Sequence, residues 1–354
     1  MRQILFFLII LNSCKINTSQ STASGTSKQI NPDGKLKAVW ITSGSEALTN
    51  PAKSVSNICN SNLNTVNVPV YTRGKAWYRS TQAKSWQALE NPHGRDFLRE
   101  FIDEVKKCDR PLKVVAWFEY GLRVPKNVDK SYGEHWEDLA NTIERDHPEW
   151  LFKETFNRVQ EPRFDHAFLD PRIDGVRKFI LGLVDEVLSY EVSAINIDDN
   201  FSVAQQACSD DSVKDAIASL IGEIYAKAAE KGKKFIYSPL FKVRDIRTTW
   251  NIDYSAIARG KDSAKFEVYP DRYESEVLQV VESANKFKAF APTNVDIFKG
   301  FGLLAGTAGN EVDPSIVAQN VKNTLQAGLG VSLFYYDYVF KDGYYEKINE
   351  ALQY

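Results

Sequence analysis

The 354-residue sequence lacks the usual signals of metal-binding, nucleic-acid-binding, phosphate-loop and membrane-spanning proteins. Its four histidines are scattered and its four cysteines do not stand at metal-ligand spacing, so no metal site is expected. A net charge of -2 gives no sign of a nucleic-acid or anionic-membrane partner. No glycine-rich phosphate loop follows the first strand-like run, and no apolar run beyond the N-terminus is long enough to span a bilayer. We therefore expect no cofactor, no nucleic-acid partner and no membrane span.

The first 34 residues are predicted to lie outside the fold. A basic start and an apolar run over residues 4–11 have the length of a signal peptide. The next residues, Asn12-Ser13-Cys14, resemble a bacterial lipobox, whose cysteine is lipidated and becomes the mature N-terminus, although the unusual asparagine leaves ordinary cleavage open. We expect a signal peptide over 1–13, lipidation at Cys14 and a polar, flexible tether over 14–34. This predicts an exported protein of the bacterial periplasm or cell surface.

Three further cysteines bear on the redox state of the folded part. In an oxidising compartment this odd number leaves at least one thiol unpaired. Cys59 and Cys108 each stand near the end of a predicted helix on neighbouring units, so they are candidates for a disulfide. Free thiols at Cys59, Cys108 and Cys208 agree equally well with the sequence.

Short apolar runs rich in β-branched residues alternate with longer amphipathic segments from residue 35 onward, which is typical of βαβ units and a parallel sheet. Eight runs predict strands: Leu36–Thr42, Leu63–Val70, Leu112–Phe118, Val192–Asp198, Lys233–Tyr237, Ala264–Tyr269, Phe298–Leu304 and Gly330–Tyr336. Six segments show helical periodicity: Gly94–Cys108, Gly175–Tyr190, Asp211–Lys231, Asp271–Lys286, Pro314–Ala327 and Tyr344–Leu352. This pattern predicts a single α/β domain over 35–354, a (β/α)8 TIM barrel with a long insertion between the third and fourth strands.

Acidic residues stand at or near the ends of several predicted strands: Glu119, Asp198, Asp199, Glu267 and Asp337. Because the functional groups of such barrels lie at the C-terminal ends of the strands, we expect these carboxylates around one mouth. Hydrolysis of a glycosidic bond needs two carboxyl groups, one to protonate the leaving oxygen and one to act as nucleophile or to activate water. A single strand-end carboxylate can equally be a helix cap or half of an ion pair. Two adjacent aspartates are harder to explain in that way, because like charges side by side cost stability.

Other side chains at these strand ends are suited to binding sugars. Tyrosine and tryptophan offer flat apolar faces for pyranose rings and polar tips that orient hydroxyl groups. The candidates for substrate binding are Asn196, Trp40, Arg73, Tyr78, Trp117, Tyr269 and Tyr336, together with Asp199 and Asp337. Arg73 has two interpretations, an ion pair within the protein or a contact to an acidic substrate, and the sequence does not separate them.

Several segments resemble, in order along the chain, the motifs of one known family. They are Ala38–Thr42, Gly74–Ser80, Val115–Gly121, His147–Leu151, Leu169–Pro171 with Val176-Arg177, Tyr190–Phe201 and Gly328–Tyr336. The segment Tyr190–Phe201 is similar to the Y-D-V-D-G-I-H-x-D-D-Y/H-F signature of the glycosyl-hydrolase-like family 10. The resemblance implies a TIM-barrel glycoside hydrolase, commonly exported and often a lipoprotein. Members of that family include enzymes that cut glycan strands of peptidoglycan stripped of stem peptides.

Family resemblance also suggests roles for the carboxylates. By spacing, the fourth strand resembles the strand of the alpha-amylase superfamily that ends in the nucleophile, and this analogy selects Asp198 as nucleophile or charge stabiliser. Asp199 is then a neighbour that binds sugar or tunes the nucleophile. Glu119 and Glu267 are the candidates for the acid/base, ahead of Asp337.

Departures from the family pattern keep a second function open. Ser193-Ala194 stand where Asp-Gly is usual, and Asn196 replaces a frequent histidine beside the expected nucleophile. The leading hypothesis is an O-glycosyl hydrolase of a cell-envelope or extracellular glycan, with peptidoglycan strands as one candidate. The alternative is a non-catalytic carbohydrate-binding lipoprotein on the same barrel. Amide hydrolysis or deacetylation ranks last, because the sequence has no constellation for a metal or for a nucleophile with a histidine.

Overall fold

A computed structural model describes most of the chain from Lys35 onward. The described residues are 35–43, 45–72, 74–83, 94–125, 143–152, 166–198, 201–203, 211–238, 265–268, 296–302, 304–305 and 310–354. The backbone alone is described for residues 125, 144–145, 166–167, 265–268, 296–302, 304–305 and 310–311. No helix among these residues is both long enough and apolar enough to cross a membrane.

Eight parallel strands form a closed barrel, numbered β1 to β8 in chain order. They are β1 (Lys37–Trp40), β2 (Thr65–Thr72), β3 (Lys113–Glu119), β4 (Ala194–Ile197), β5 (Lys234–Tyr237), β6 (Lys265–Val268), β7 (Asp296–Gly302) and β8 (Gly330–Phe334). Each strand pairs with the next along the chain, and β1 pairs with both β2 and β8. The eight strands therefore form a closed ring in which every strand has two neighbours. All eight predicted strands and the predicted TIM barrel are confirmed.

The helices occupy the connections between strands. They are α1 (Glu46–Thr49), α2 (Pro51–Cys59), α3 (Phe97–Val105), α4 (Ile143–Asp146), α5 (Asp174–Leu188), α6 (Asp211–Glu230), α7 (Pro314–Gln326), α8 (Tyr336–Val339) and α9 (Tyr345–Ala351). The start of α7 follows the sequence signal, because Asp313 caps it by accepting from the Ser315 N–H and Pro314 occupies the first turn. The predicted helix over Asp271–Lys286 lies outside the described residues.

Side chains alternate between two cores along the strands whose side chains are described. The outward-facing residues of the strands pack with the helices into one large apolar cluster. Within the barrel, Val115, Ala194 and Ile236 from three neighbouring strands form a separate small apolar layer. Two residues further along β3 and β4, the inward positions are Trp117 and Asn196. On β3 and β4 the inward positions therefore change from aliphatic to aromatic and polar toward the mouth, where barrels carry their chemistry.

The insertion after β3 carries a small two-stranded antiparallel sheet at the mouth. Its strands Arg123–Pro125 and His166–Phe168 pair in antiparallel fashion. A 3-10 turn at Pro148–Trp150 follows α4, and its indole lies against the start of α5. A Cβ atom added to Gly175 would lie 2.7 Å from Nε1 of that indole, so the motif His147–Leu151 packs the insertion against α5.

Cys59 and Cys108 form a disulfide, with Cα atoms 5.9 Å apart. Cys59 ends α2 and Cys108 follows α3 by three residues, so the bond joins two neighbouring helices of the outer layer. Arg110 reinforces the same junction, since its guanidinium donates to the carbonyls of Ile58, Cys59 and Ser61 at 2.7–2.9 Å. Burial lowers the pKa of Arg110. The sequence did not decide between a disulfide and free thiols, and the structure contains the disulfide.

A second junction, which we call the Glu186 cluster, fixes the segment after β2. The Glu186 carboxylate on α5 accepts from the hydroxyls of Tyr78, Ser80 and Thr81 and from the N–H groups of Thr81 and Gln82, at 2.5–3.1 Å. Burial acts to raise the pKa of Glu186, but these hydrogen bonds outweigh it and lower the pKa below its usual value. The family-like segment Gly74–Ser80 is thus held to the outer helix by one carboxylate.

Candidate active site

Asp198 directly follows β4 and is held by an indole from the neighbouring strand. The last paired residues of β3 and β4 are Phe118 and Ile197, so Asp198 comes level with Glu119 at the C-terminal ends of the two strands. The Nε1–H group of Trp117 donates to Asp198 Oδ2 at 3.2 Å. Asp198 is only 5% exposed, so the indole supplies a hydrogen bond to a carboxylate that water hardly reaches.

Glu119 ends β3 and is held by two hydroxyl groups. Its Oε2 atom accepts from Thr72 Oγ1 at the end of β2 and from Ser43 Oγ after β1, both at 3.1 Å. The residue is 8% exposed, so the carboxyl group lies below the surface of the mouth. The next residue, Tyr120, has a left-handed backbone with φ 52°, which turns the chain sharply after the carboxylate.

The segment between β1 and α1 reaches two acidic residues. Ser43 contacts Glu119, and Ser45 donates from Oγ to Asp337 Oδ1 at 2.8 Å. Ser45 also caps α1, because its Oγ accepts from the N–H of Ala47. Asp337 stands in the first turn of α8 and is exposed. The structure therefore places Asp337 at the same mouth, nearer to solvent than Glu119 and Asp198.

A chain of buried amides and a hydroxyl lies inside the barrel beneath the carboxylates. Asn196, two residues before Asp198, donates from Nδ2 to Asn67 Oδ1 at 3.2 Å and accepts at Oδ1 from Ser238 Oγ at 3.0 Å. These three side chains belong to β2, β4 and the end of β5, and all are fully buried. Within the described part of the chain, Asn67 Nδ2 has no hydrogen-bond partner. Asn196 thus fixes the floor of the site instead of facing solvent.

Three aromatic rings fill the adjoining side of the barrel interior. Trp40 and Trp117 meet edge to face with centroids 4.4 Å apart, and each lies 6.4 Å from Phe334. Trp40 donates from Nε1 to Ser332 Oγ at 2.5 Å. Phe334 and the following Tyr335 are half-buried and therefore keep a partly exposed surface. The tryptophans form the wall, and the residues ending β8 offer the ring surface that a ligand can reach.

Two residues that the sequence predicted as substrate contacts do not present their side chains at the mouth. Tyr78 is 0% exposed and belongs to the Glu186 cluster, and burial raises its pKa well above the usual value. Tyr336 is buried on α8, accepts from Asn57 Nδ2 at 2.8 Å and packs against Phe340. Neither residue presents a ring face at the mouth, so we leave both out of the proposed site.

Other expected site residues lie outside the described part of the chain. These are Asp199, Arg73, Tyr269 and the lipidation candidate Cys14. Glu267 lies on β6, where its backbone pairs with Phe298 of β7, but its side chain is not described. Among the described residues, no three of the types His, Cys, Asp and Glu lie together in a way that would hold a metal ion.

The sequence did not identify the hydrogen-bond partners of the site. Ser43, Thr72, Asn67 and Ser238 contact Glu119 or Asn196 but were not predicted as site residues. A signal for Asn67 exists, because it is an amide inside the apolar strand sequence Thr-Val-Asn-Val, where a polar side chain needs a buried partner. Tyr335 was also missed, although its neighbour on the chain was chosen.

A family model for glycosyl hydrolase-like 10 matches residues 35–223, which is more than half of the chain. The chain belongs to this family. The match contains both described carboxylates and every strand that builds the amide floor except β5. No curated protein matches the chain in sequence.

Solved structures share the barrel fold of this glycosyl hydrolase-like 10 protein. The glycoside hydrolase domain of PgaB (BpsB) from Bordetella bronchiseptica is 8% identical with a TM-score of 0.57, over 90% of this chain and 97% of that one. The alpha-galactosidase from Thermus thermophilus is 11% identical with a TM-score of 0.53, over 91% of this chain and 62% of that one. A beta-N-acetylhexosaminidase from Bacteroides fragilis is 13% identical with a TM-score of 0.54, over 90% and 66%. The chain thus spans less than two thirds of the galactosidase and the hexosaminidase, and at these identities the likeness establishes the fold.

Proposed function

We propose that this protein hydrolyses O-glycosidic bonds of a cell-envelope or extracellular glycan, with peptidoglycan strands stripped of stem peptides as the first substrate to test. One observation carries the proposal. Two buried carboxylates, Glu119 and Asp198, stand level at the ends of neighbouring strands on the mouth of a glycosyl hydrolase-like barrel. Two carboxyl groups on either side of one bond are what glycoside hydrolysis requires.

The partners of the two carboxylates favour different roles. The indole N–H of Trp117 can only donate, so it matches a residue that stays ionised, and Asp198 is the proposed nucleophile. The hydroxyls of Ser43 and Thr72 can both donate and accept, so they can adapt to either protonation state of Glu119. A residue that must give up a proton and then recover it needs such partners, so Glu119 is the proposed acid/base.

The proposed reaction has two steps. Asp198 attacks the anomeric carbon while Glu119 protonates the departing oxygen, so the glycosidic bond breaks and a glycosyl ester forms. Glu119 then takes a proton from water, the hydroxide attacks the anomeric carbon, and the ester bond to Asp198 breaks. The backbones of neighbouring strands are about 4.8 Å apart, so carboxyl groups on level residues can reach the separation of about 5–5.5 Å that retaining enzymes use. We therefore propose retention of the anomeric configuration.

Sugar binding is assigned to residues around this pair. Phe334 and Tyr335 at the end of β8 offer partly exposed rings, and Asp337 offers an exposed carboxylate beside them. Asp199, Arg73 and Tyr269, at the ends of β4, β2 and β6 in the sequence, stay proposed substrate contacts. Stacking on a ring and hydrogen bonding to hydroxyls together would orient a pyranose over Asp198.

The test compares matched carboxamide variants on purified glycans, including denuded peptidoglycan strands. Asp198→Asn and Glu119→Gln are each expected to lower kcat at least 1000-fold, on the order of what a nucleophile or acid supplies. Asp174→Asn is the control, because Asp174 is exposed on α5 and 77% of its side chain is accessible. Glu267→Gln tests the other acid/base candidate. Full activity of Asp198→Asn would refute the proposal, and inversion of the product anomer, followed by NMR, would refute the two-step reaction.

The same assay separates catalysis from binding alone. A non-catalytic carbohydrate-binding protein would bind the glycan with no turnover, and its affinity would be unchanged in Asp198→Asn and Glu119→Gln. Turnover that both variants abolish, with binding retained, excludes that alternative.

Export and lipid anchoring at Cys14 form a separate proposal. The apolar run over 4–11, the lipobox-like segment and the disulfide between Cys59 and Cys108 support it, because disulfides persist in oxidising compartments. Labelled fatty acid should be incorporated into the wild type and into Cys208→Ala, and lost in Cys14→Ala. Equal labelling of all three proteins, or of none, would contradict it.

A further inference from the structure

The residues that follow the two carboxylates are packed against each other. Gly121 stands two positions after Glu119, and Phe201 stands three positions after Asp198. A Cβ atom built on Gly121 would lie 2.2 Å from Cδ2 and 2.5 Å from Cε2 of the Phe201 ring. Ordinary contacts begin near 3.4 Å, so the ring occupies the space that any side chain at position 121 would need.

Backbone conformation does not explain the glycine. Gly121 is not among the glycines with positive φ, so its backbone is open to alanine. The three atoms nearest to a Cβ at this position all belong to the Phe201 ring, so the ring is what a larger residue meets first. The glycine therefore serves the close approach of two segments and not the shape of its own turn.

Each partner of this contact is tied to its carboxylate through the backbone. The Phe201 N–H donates to the Asp198 carbonyl at 3.1 Å, and the ring is fully buried. On the other side, the left-handed Tyr120 links Glu119 to Gly121, and the Arg123 N–H donates to the Tyr120 carbonyl at 3.0 Å. Each residue is thus tied through the backbone to the neighbourhood of its carboxylate, so a change in the distance between Gly121 and Phe201 would shift Glu119 or Asp198.

We infer that Gly121 and Phe201 form a packing lock that sets the separation of Glu119 and Asp198, an inference that rests on the proposed function. Both are positioning residues, since each acts on the reaction through the backbone beside it. Alanine at position 121 would drive the ring or the Glu119 turn away by more than 1 Å. A misplacement of about 1 Å costs on the order of 100-fold in rate when reacting groups must be aligned.

The test compares four variants, one of which is a matched control. Gly121→Ala is expected to lower kcat about 100-fold and to change KM by less than about 3-fold, because the sugar contacts are elsewhere. Gly222→Ala on α6 is the matched control, since its added Cβ would meet nothing within 4 Å, and it should keep wild-type kcat. Phe201→Leu removes the ring and should cost less than Gly121→Ala. In the double variant, the alanine methyl enters the space left by the ring, so kcat should equal or exceed that of Phe201→Leu.

This reversal of sign is the decisive readout. The effect of Gly121→Ala is harmful beside phenylalanine and neutral or helpful beside leucine only if the two side chains share one space. Should Gly121→Ala not fold, the comparison of the double variant with Phe201→Leu still decides. A Gly121→Ala enzyme within 3-fold of wild-type kcat, or a double variant slower than Phe201→Leu, would overturn the lock.

Failure of the lock and failure of the proposed function give different results. If the wild type turns over glycans and the reversal is absent, the lock is wrong and the function stands. If the wild type only binds glycans, the function is wrong, and the same four variants are compared by Tm and by affinity. The reversal must then appear in Tm, and additive changes in Tm would overturn the lock as well.

Discussion

The disulfide between Cys59 and Cys108 permits a quantitative prediction. Its two cysteines are separated by 49 positions, so the bond closes a loop of that size in the unfolded chain. The chain-entropy relation gives about 4 kcal/mol of stabilisation for a loop of this length. Removing the bond in a Cys59→Ser/Cys108→Ser variant should lower the free energy of unfolding by that amount.

Urea unfolding followed by tryptophan fluorescence measures this difference. With a slope of about 3 kcal/mol per molar urea, the midpoint should fall by roughly 1.3 M. Cys208→Ser serves as the control for the loss of a cysteine and should keep the wild-type midpoint. Equal midpoints for the wild type and the double variant would refute the assignment of this stability to the cross-link.

Arg110 allows the mechanism of this stabilisation to be tested. The disulfide acts mainly by restricting the unfolded chain, whereas Arg110 acts in the folded state through three carbonyl contacts. Arg110→Ala should therefore destabilise the oxidised and the disulfide-free protein equally, by about 2–4 kcal/mol. A much larger cost in the disulfide-free protein would mean that the cross-link also holds the folded junction in place.

Three further predictions concern the site and its supports. Trp117→Phe removes one hydrogen bond to a charged group, and such a bond is worth about 1.5–3 kcal/mol. The value of kcat/KM on a glycan that the wild type cleaves should therefore fall about 10- to 150-fold, while circular dichroism shows an unchanged fold. An unaltered kcat/KM would contradict the role of the indole. The pKa of Glu186 is lower in the folded state than in the unfolded chain, so its contribution to stability is present above about pH 4.3 and is lost as the pH falls through the folded pKa. Unfolding curves between pH 7 and pH 3 should show this loss of stability in the wild type and much less of it in Glu186→Gln. An identical dependence of stability on pH in the two proteins would contradict the prediction. Gly175→Ala should destabilise the protein by about 1–3 kcal/mol, because the added methyl group meets Trp150. Gly222→Ala should raise Tm, since it only improves helix propensity. A stabilising effect of Gly175→Ala would refute the contact with Trp150.

Strand order and barrel closure followed from the sequence because they depend on local composition. Each strand is a short apolar run between amphipathic segments, and eight such units can bury all strand edges only by closing. The position of Asp198 and Glu119 was predictable for the same reason, since both directly follow or end a buried run. Features of this kind need only the order of residues along the chain.

Contacts between distant segments were not predictable in the same way. Tyr78 looks like a mouth residue because it follows β2, but a carboxylate on α5, 108 positions away, draws its hydroxyl outward. The role of Trp117 differs from the prediction for a related reason, because its ring packs against Trp40 and its N–H donates to Asp198. Side-chain direction at a strand end is set by partners that only the folded chain brings near.

The two ends of the barrel differ in what they can tolerate. Cys59 and Cys108 lie where helices return to the starts of β2 and β3, at the end of the barrel opposite the mouth. Attachment points or surface fixation at that end would lie away from the carboxylates, and a protein immobilised there would keep its mouth accessible to solution. The end of the barrel opposite the mouth is thus a suitable place for attaching labels or a surface to this chain.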